Sequence, residues 1–524
     1  MNDIWLCSQI ELKSEIPAKR PDASLTWEGF RHGAMRTVGA HMTLPKVEIQ
    51  RWQVFQSSWR QKNWSLEIRT AARLTLGAWL LYLSVLAPSL ATWDGGGMLN
   101  VAVSVVQKHD ITVEPRFGKQ GRDGKLYAMW YPLLSFVAIP FAAAGLLVAR
   151  HVHLPATYVV SVFAILLSTI ISALNVGATY YLARSRLGAS ERRAVAAAVA
   201  FGFGTLALRY SRSFYADPLL TLITTAAMIA LFADEPSAVI LASLCGLAIL
   251  AKPVGVLLGA AVFLYLAFQR KYRAAFVSAI GSAAGAGLYA AYDWARFGNV
   301  FDTGQPNLWS LREMPDGLAG LLISPGVGLL VCCPVVILAF RKRLNREGWF
   351  IWGLVAVYLL LYSSWQRWYA SDWGPRFLMP VVPALLVLSV LTRYRRTWLA
   401  LAVLGVVMQV PTVFGSPERY QDQIGERGIS MESAAWHPQL ASTVGMWRSA
   451  IEQVREAEHI DIREFTTYRP NATKLADARN FRIVPLWWWM LPLVHVPRAF
   501  GIAVALAEML VGLWVICWWK TTSS

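Results

Sequence analysis

Cysteine is scarce, with five in 524 residues. Charge is scarce too, at 15% Asp, Glu, Lys and Arg, where a soluble domain carries about 25%. The first shortage argues against a disulfide scaffold, because Cys7 lies in a basic tail and Cys245, Cys332, Cys333 and Cys517 lie in apolar runs. Adjacent Cys332 and Cys333 read as small apolar packers. There is no Gly-rich phosphate loop of the Walker type, no His-x-x-x-His pair, no Cys–His cluster and no Gly-x-Ser-x-Gly elbow. Nucleotide hydrolysis, zinc proteolysis and serine hydrolysis lose their usual signatures. His109, His151, His153, His437, His459 and His495 are scattered, so none has metal-ligand spacing. No metal or other cofactor is expected. No strong internal repeat is visible, which weakens an inverted-repeat transporter.

What fills the chain is apolar. Hydrophobic residues make up 56%, with 24 Trp, and many runs reach the ~20 residues needed to cross a bilayer. Trp487-Trp488-Trp489 and Trp518-Trp519 suit interfacial belts. The net charge of +17 sits in short clusters: Arg184 to Arg193, Arg270 to Arg273, Arg341 to Arg346, and Arg393 to Arg396. That pattern reads as topology, with these loops cytoplasmic, and not as nucleic-acid binding. The expected fold is an all-α polytopic membrane protein of about twelve transmembrane helices. The spans fall near 70–90, 156–183, 194–209, 217–233, 237–251, 254–269, 274–292, 319–340, 348–364, 377–392, 397–414 and 498–519. Both termini are then expected on the cytoplasmic side of the membrane, and no cleavable signal peptide is expected. The count requires Pro132 to Val148 to lie in the outer leaflet; a true crossing would put the Arg184 cluster outside.

Four regions follow: a partly disordered basic tail (1–69), a transmembrane domain (70–414), an extracytoplasmic cap (415–485) with an amphipathic helix from Thr443 to Glu458, and an interfacial segment with the last span (486–524). Asn471-Ala472-Thr473 spells a glycosylation sequon. Glu508 falls inside the last span.

Chemistry collects on the external side. Asp94 follows the first span, and a carboxylate there is either a polar stop or a functional group. Gly95-Gly96-Gly97 beside it would let backbone approach a ligand, and Met98 to Val106 would lie along the membrane surface as a helix. Asp217 precedes Pro218, as a helix cap or a second site acid. Lys252, in Leu250-Ala251-Lys252-Pro253, either meets an anion or snorkels. Arg376 opens a later span and could fork onto a phosphate. Arg209, Arg212, Tyr131 and Arg296 join them as candidate substrate contacts. Acids that take a proton, and cations that receive a departing phosphate, are what transfer from a lipid-linked phosphate requires.

With those segments in view, the chain resembles the polytopic GT-C glycosyltransferases, of the protein O-mannosyltransferase and lipid A aminoarabinose transferase type. The resemblance covers roughly 70–415. It rests on Asp94 after the first span, "DGKLYAMWYP" (123–132), "YSRSFYADPL" (210–219), "LAKP" (250–253), "RFGNVFDTG" (296–304) and "WGPRFLMPVVP" (373–383). Two departures stand out: Gly95 replaces the acid of an Asp-Glu pair, and Leu133 replaces the second residue of a Pro-Pro segment. The resemblance implies an inverting transferase in the cytoplasmic membrane, with its site on the extracytoplasmic face. Its donor is a polyprenyl-phosphate sugar and its acceptor a glycan, lipid or protein. Asp94 takes the base role, Asp217 orients the acceptor or the base, and Lys252 and Arg376 bind the donor phosphate. The rivals are an envelope polymerase or ligase with a pyrophosphate-linked donor, resting on Arg209, Arg212 and Arg376, and a lipid or sugar transporter.

Overall fold

Long apolar stretches rich in Ala, Leu and Val form helices readily, and here proline, glycine and short polar turns decide where each one stops. The computed structural model describes residues 66–90, 92–152, 154–341, 345–369, 372–457 and 484–517. The expectations for the tail up to residue 65, Cys7, His153, His459, the Asn471 sequon and Trp518-Trp519 fall outside these residues. Trp64–Ser524 is one unit by itself.

The order begins with α1 (Leu66–Ser84) and α2 (Trp93–Lys108). A two-stranded antiparallel ribbon follows, β1 (Gly118–Gln120) on β2 (Leu126–Ala128), with Lys119 opposite Tyr127. Next come α3 (Pro132–Val137), α4 (Ile139–Ala149), α5 (Ala156–Tyr181), α6 (Glu191–Gly204), α7 (Ala207–Tyr210) and α8 (Ala216–Leu231). Then follow α9 (Ala238–Ala251), α10 (Val256–Phe268), α11 (Tyr272–Phe297), α12 (Met314–Ile323), α13 (Leu329–Cys332) and α14 (Arg346–Ser363). A 3₁₀ segment (Arg376–Val381) leads into α15 (Val382–Val390) and α16 (Arg395–Gln409). The described chain ends with α17 (Pro411–Phe414), α18 (Pro417–Glu426), α19 (Met431–Trp436), α20 (Ser442–Ala457) and α21 (Arg498–Cys517).

Four helices among the described residues are long and apolar enough to cross a membrane: Ala156–Arg186, Tyr272–Phe297, Arg395–Phe414 and Arg498–Cys517. Ile139–Ala149, Ala216–Leu231, Ala238–Ala251, Pro253–Phe268 and Arg376–Val390 are apolar but shorter. Several expected spans are not continuous helices. The stretch 319–340 breaks at Ser324 to Gly328 and again at Pro334, leaving α12, α13 and a 3₁₀ segment, Pro334–Arg341. Pro325, two glycines and Pro334 explain the breaks, because proline lacks the donor and glycine lacks the propensity. In 377–392 the first turns are 3₁₀, with Pro380 inside them. The stretch 194–209 interrupts at Thr205, between α6 and α7. The helix of the first expected span stops at Ser84, so Asp94 does not follow it directly. In the 132–148 stretch the helix breaks at Ala138. The eleven residues of α4 rise about 16 Å, half a hydrocarbon core.

Small residues let these helices approach. In α9 against α11, a Cβ added at Gly246 would meet the Gly281 carbonyl at 2.7 Å. The expected amphipathic helix of the cap is α20. Its buried residues Thr443, Met446, Ser449, Ala450 and Gln453 recur at three- and four-residue spacing. Thr443 donates to the Pro325 carbonyl at 2.8 Å, so α20 sits on the turn that interrupts 319–340. Arg419 on α18 reaches Glu456 at 2.6 Å, and the Ser416 N–H donates to the Gln453 side-chain Oε1 at 3.1 Å.

Candidate active site

Helix ends converge where the charges meet. Asp94 and Asp217 lie in the first turns of α2 and α8, where the positive end of the helix dipole favours an anion. Lys252 caps the C-terminus of α9 with extended backbone, where a cation is favoured. Arg376 begins the 3₁₀ segment. Each charge therefore sits at an end whose dipole tolerates it or in an irregular turn, and α14 delivers Tyr362 to the same place.

The four groups form a chain. Arg376 Nη1 donates to Asp94 Oδ2 at 3.2 Å. Its Nε lies 3.7 Å from Asp217 Oδ2 without a hydrogen bond. Lys252 Nζ donates to Asp217 Oδ1 at 2.8 Å. Burial is graded along it: the side chains of Asp217, Lys252 and Arg376 are 4%, 7% and 9% exposed, whereas Asp94 is 35% exposed. Two acids and two cations balance, and of the four the Asp94 end is the most open to solvent.

Aromatic rings wall the cations. Lys252 Nζ lies 4.7 Å from the Phe377 ring centroid, 5.5 Å from Tyr362 and 5.9 Å from Tyr131. The Arg376 guanidinium lies 4.2 Å from Tyr215, and Tyr362 stacks on Phe377 at 4.6 Å. These faces attract the cations and keep water from them. Burial pushes the Tyr131 phenol up to about 12, with Lys252 opposing the shift, so Tyr131 is a neutral hydrogen-bonding group beside the cations.

Three other expected contacts have partners within the protein. Arg209 forms a buried pair with Asp372 at 2.7 Å, four residues before Arg376. Tyr210 works on the same loop: its hydroxyl donates to the Trp373 carbonyl at 2.8 Å and accepts from the Trp373 N–H at 3.1 Å. Arg212 donates to the carbonyls of Val85, Thr412 and Pro485, tying together three distant segments. Arg296 pairs with Asp293 and donates to the Ala128 carbonyl, which holds the strand leading to Tyr131. These three arginines are turned inward; of the predicted cations, Lys252 and Arg376 are the two that gather at Asp94 and Asp217.

Two local expectations change. Asp217 does not cap α8, because the helix begins at Ala216 with Tyr215 in the capping position and no side-chain cap bond. Nor do Gly95 to Gly97 open space for a ligand. An added Cβ at Gly95 would meet the Phe214 carbonyl at 2.6 Å, one at Gly96 the Phe117 ring at 2.6 Å, and one at Gly97 would run into the Trp130 ring. Their purpose is the close seating of α2, which also explains why no acid side chain fits at Gly95. Asp372, Tyr215, Tyr362 and Phe377 were missed as site residues; Asp372 and Phe377 belong to the segment that supplied Arg376, and that adjacency was the available signal.

Solved structures similar to this chain include two of one protein. One is ArnT from Cupriavidus metallidurans bound to undecaprenyl phosphate, at 15% identity and a TM-score of 0.41, covering 85% of this chain and 75% of that one. The other is ArnT from Cupriavidus metallidurans in the apo state, at 15% identity and a TM-score of 0.44, covering 83% and 74%. No family model matches the sequence, and no curated protein matches it.

Proposed function

We propose that this protein is a membrane glycosyltransferase that moves a sugar from a polyprenyl-phosphate donor to a hydroxyl of an extracytoplasmic acceptor, with inversion. The observation that supports it is the shared guanidinium: Arg376 lies between the partly exposed Asp94 and the buried Asp217–Lys252 pair. A donor phosphodiester carries one negative charge, and it competes with Asp94 for Arg376. Once Arg376 turns to the phosphate, Asp94 is free to accept the proton of the acceptor hydroxyl. The acceptor oxygen bonds to the anomeric carbon as the bond from that carbon to the phosphate oxygen breaks. The leaving phosphate gains a second negative charge, and Arg376 and Lys252 face it. Asp217 holds Lys252 at 2.8 Å and so keeps that cation in place.

The pyrophosphate-donor alternative needs Arg209 and Arg212 free at the mouth, and both have internal partners.

The test is glycosyl transfer by the full-length protein in lipid nanodiscs, from a panel of radiolabelled polyprenyl-phosphate sugars to envelope extract. Asp94→Asn should lower turnover roughly 10²–10⁴-fold with an unchanged melting temperature. Turnover within a few-fold of wild type would move the base elsewhere, and no transfer by wild type from any monophosphate donor would overturn the reading.

A further inference from the structure

A groove of about 970 Å³ runs along α10 and α14 and ends at their termini far from Lys252 and Tyr362. Its walls are one face of α10 (Leu257 to Phe268) and one face of α14 (Trp349 to Val357). Tyr265 and Phe350 line it edge to edge, and Phe232 packs edge-on against both, the three centroids 5.3–5.8 Å apart. Arg270, Lys271 and Arg346 stand at one end. Among the described residues, none of these three is held in an ion pair. One acid, Glu347, shares that end of α14. From Leu257 to Phe268 a helix rises about 17 Å, the depth of one leaflet.

Two local choices in this groove run against backbone preference. Arg270 is left-handed, with φ 59°, in the C-terminal turn of α10. Its N–H donates to the Ala267 carbonyl and that of Lys271 to the Leu266 carbonyl, a turn that favours glycine. Gly353 sits inside α14, where glycine is unfavourable, and an added Cβ there would meet nothing within 4 Å. An arginine stands where glycine would relieve the backbone, and a glycine stands where a side chain would fill the groove. Both choices serve the groove at a cost to the helices.

We propose that this groove binds an anionic diacyl phospholipid, its phosphate among Arg270, Lys271 and Arg346 and an acyl chain running past Gly353. Charge complementarity selects the headgroup, and the apolar length of one leaflet selects a chain over a free anion. The exposed Phe268 and Trp349, at 86% and 67%, flank the entry from the lipid side.

The test uses full-length protein in mild detergent, with native mass spectrometry and thermal shift against dioleoyl phosphatidylglycerol, dioleoyl phosphatidylcholine and inorganic phosphate. Phosphatidylglycerol should be retained and should raise the melting temperature more than either of the others. Arg270→Gly removes a cation while relieving the left-handed backbone, and Gly353→Phe fills the channel at a favourable helix position, so both should fold at least as well as wild type. Arg270→Gly should weaken phosphatidylglycerol binding roughly fivefold, and Gly353→Phe should abolish it. Equal retention of phosphatidylcholine, an equal response to inorganic phosphate, or undiminished binding by both variants would overturn the proposal.

Discussion

Arg212 and Arg376 are both nearly out of contact with solvent, at 1% and 8% exposed, yet their surroundings differ in kind. Arg212 spends its donors on three backbone carbonyls from segments far apart in sequence. Arg376 faces two carboxylates, one of them a third exposed, and keeps its Nε without a hydrogen bond. A guanidinium saturated by carbonyls is a rivet, because no incoming anion can offer it more than it already has. A guanidinium shared between acids can exchange one of them for a phosphate. Burial alone does not separate the roles; the identity and exposure of the partner do.

The sharpest way to break this comparison is Arg212→Met. Three carbonyls then lose their donor at ~1–3 kcal/mol each, so the melting temperature in detergent should drop steeply. A shift of only a few degrees would show that Arg212 is no rivet. Next in size, Lys252→Met leaves Asp217 buried beside only the more distant Arg376, a loss of ~3–5 kcal/mol. Asp217→Asn combined with Lys252→Met should recover part of that stability while activity stays lost. A double variant no more stable than Lys252→Met alone would mean that the pair does not act as one unit. Smaller again is Arg376→Lys. It keeps the charge but loses the fork that can hold Asp94 and Asp217 together, so turnover should fall while the melting temperature moves little. A large melting shift would place Arg376 with the rivets.

The smallest effect lies away from both regions, at Asp302. The Gly304 N–H and then Lys119 hold its carboxyl below the ordinary value. Its contribution is therefore complete above that value and is lost as pH falls through the lower folded one. For a largely exposed pair this amounts to about 0–1 kcal/mol. Asp302→Asn should leave the melting temperature near neutrality almost unchanged and slightly flatten its acid dependence. A shift of many degrees would show that the Lys119–Asp302 contact supports the ribbon.

Much of the candidate site was legible because it lies at helix ends. Asp94, Asp217, Lys252 and Arg376 each stand beside an apolar run, and a charge there is visible against the background. The helices α2 and α20 were legible from apolar periodicity. The interruptions of 319–340 and 194–209 were not, because window hydropathy ignores the few residues that stop a helix. The roles of Arg209, Arg212 and Arg296 were also out of reach. Their partners are carbonyls or acids that one residue type does not reveal: Asp372 lies 163 residues from Arg209, and Pro485 lies 273 from Arg212.

By itself the sequence determined the helical, apolar class of this protein and the small set of charged residues placed at the ends of apolar runs. Local composition suffices for both, since hydropathy and helix propensity act over a few turns. Tertiary structure alone decided which charges meet. Asp94 and Arg376 are 282 residues apart, and only the packing of α2, α8, α9 and the Arg376 turn against one another brings their ends within hydrogen-bond reach. The same packing turned the other arginines inward, because a buried guanidinium must find its acceptors wherever the fold supplies them.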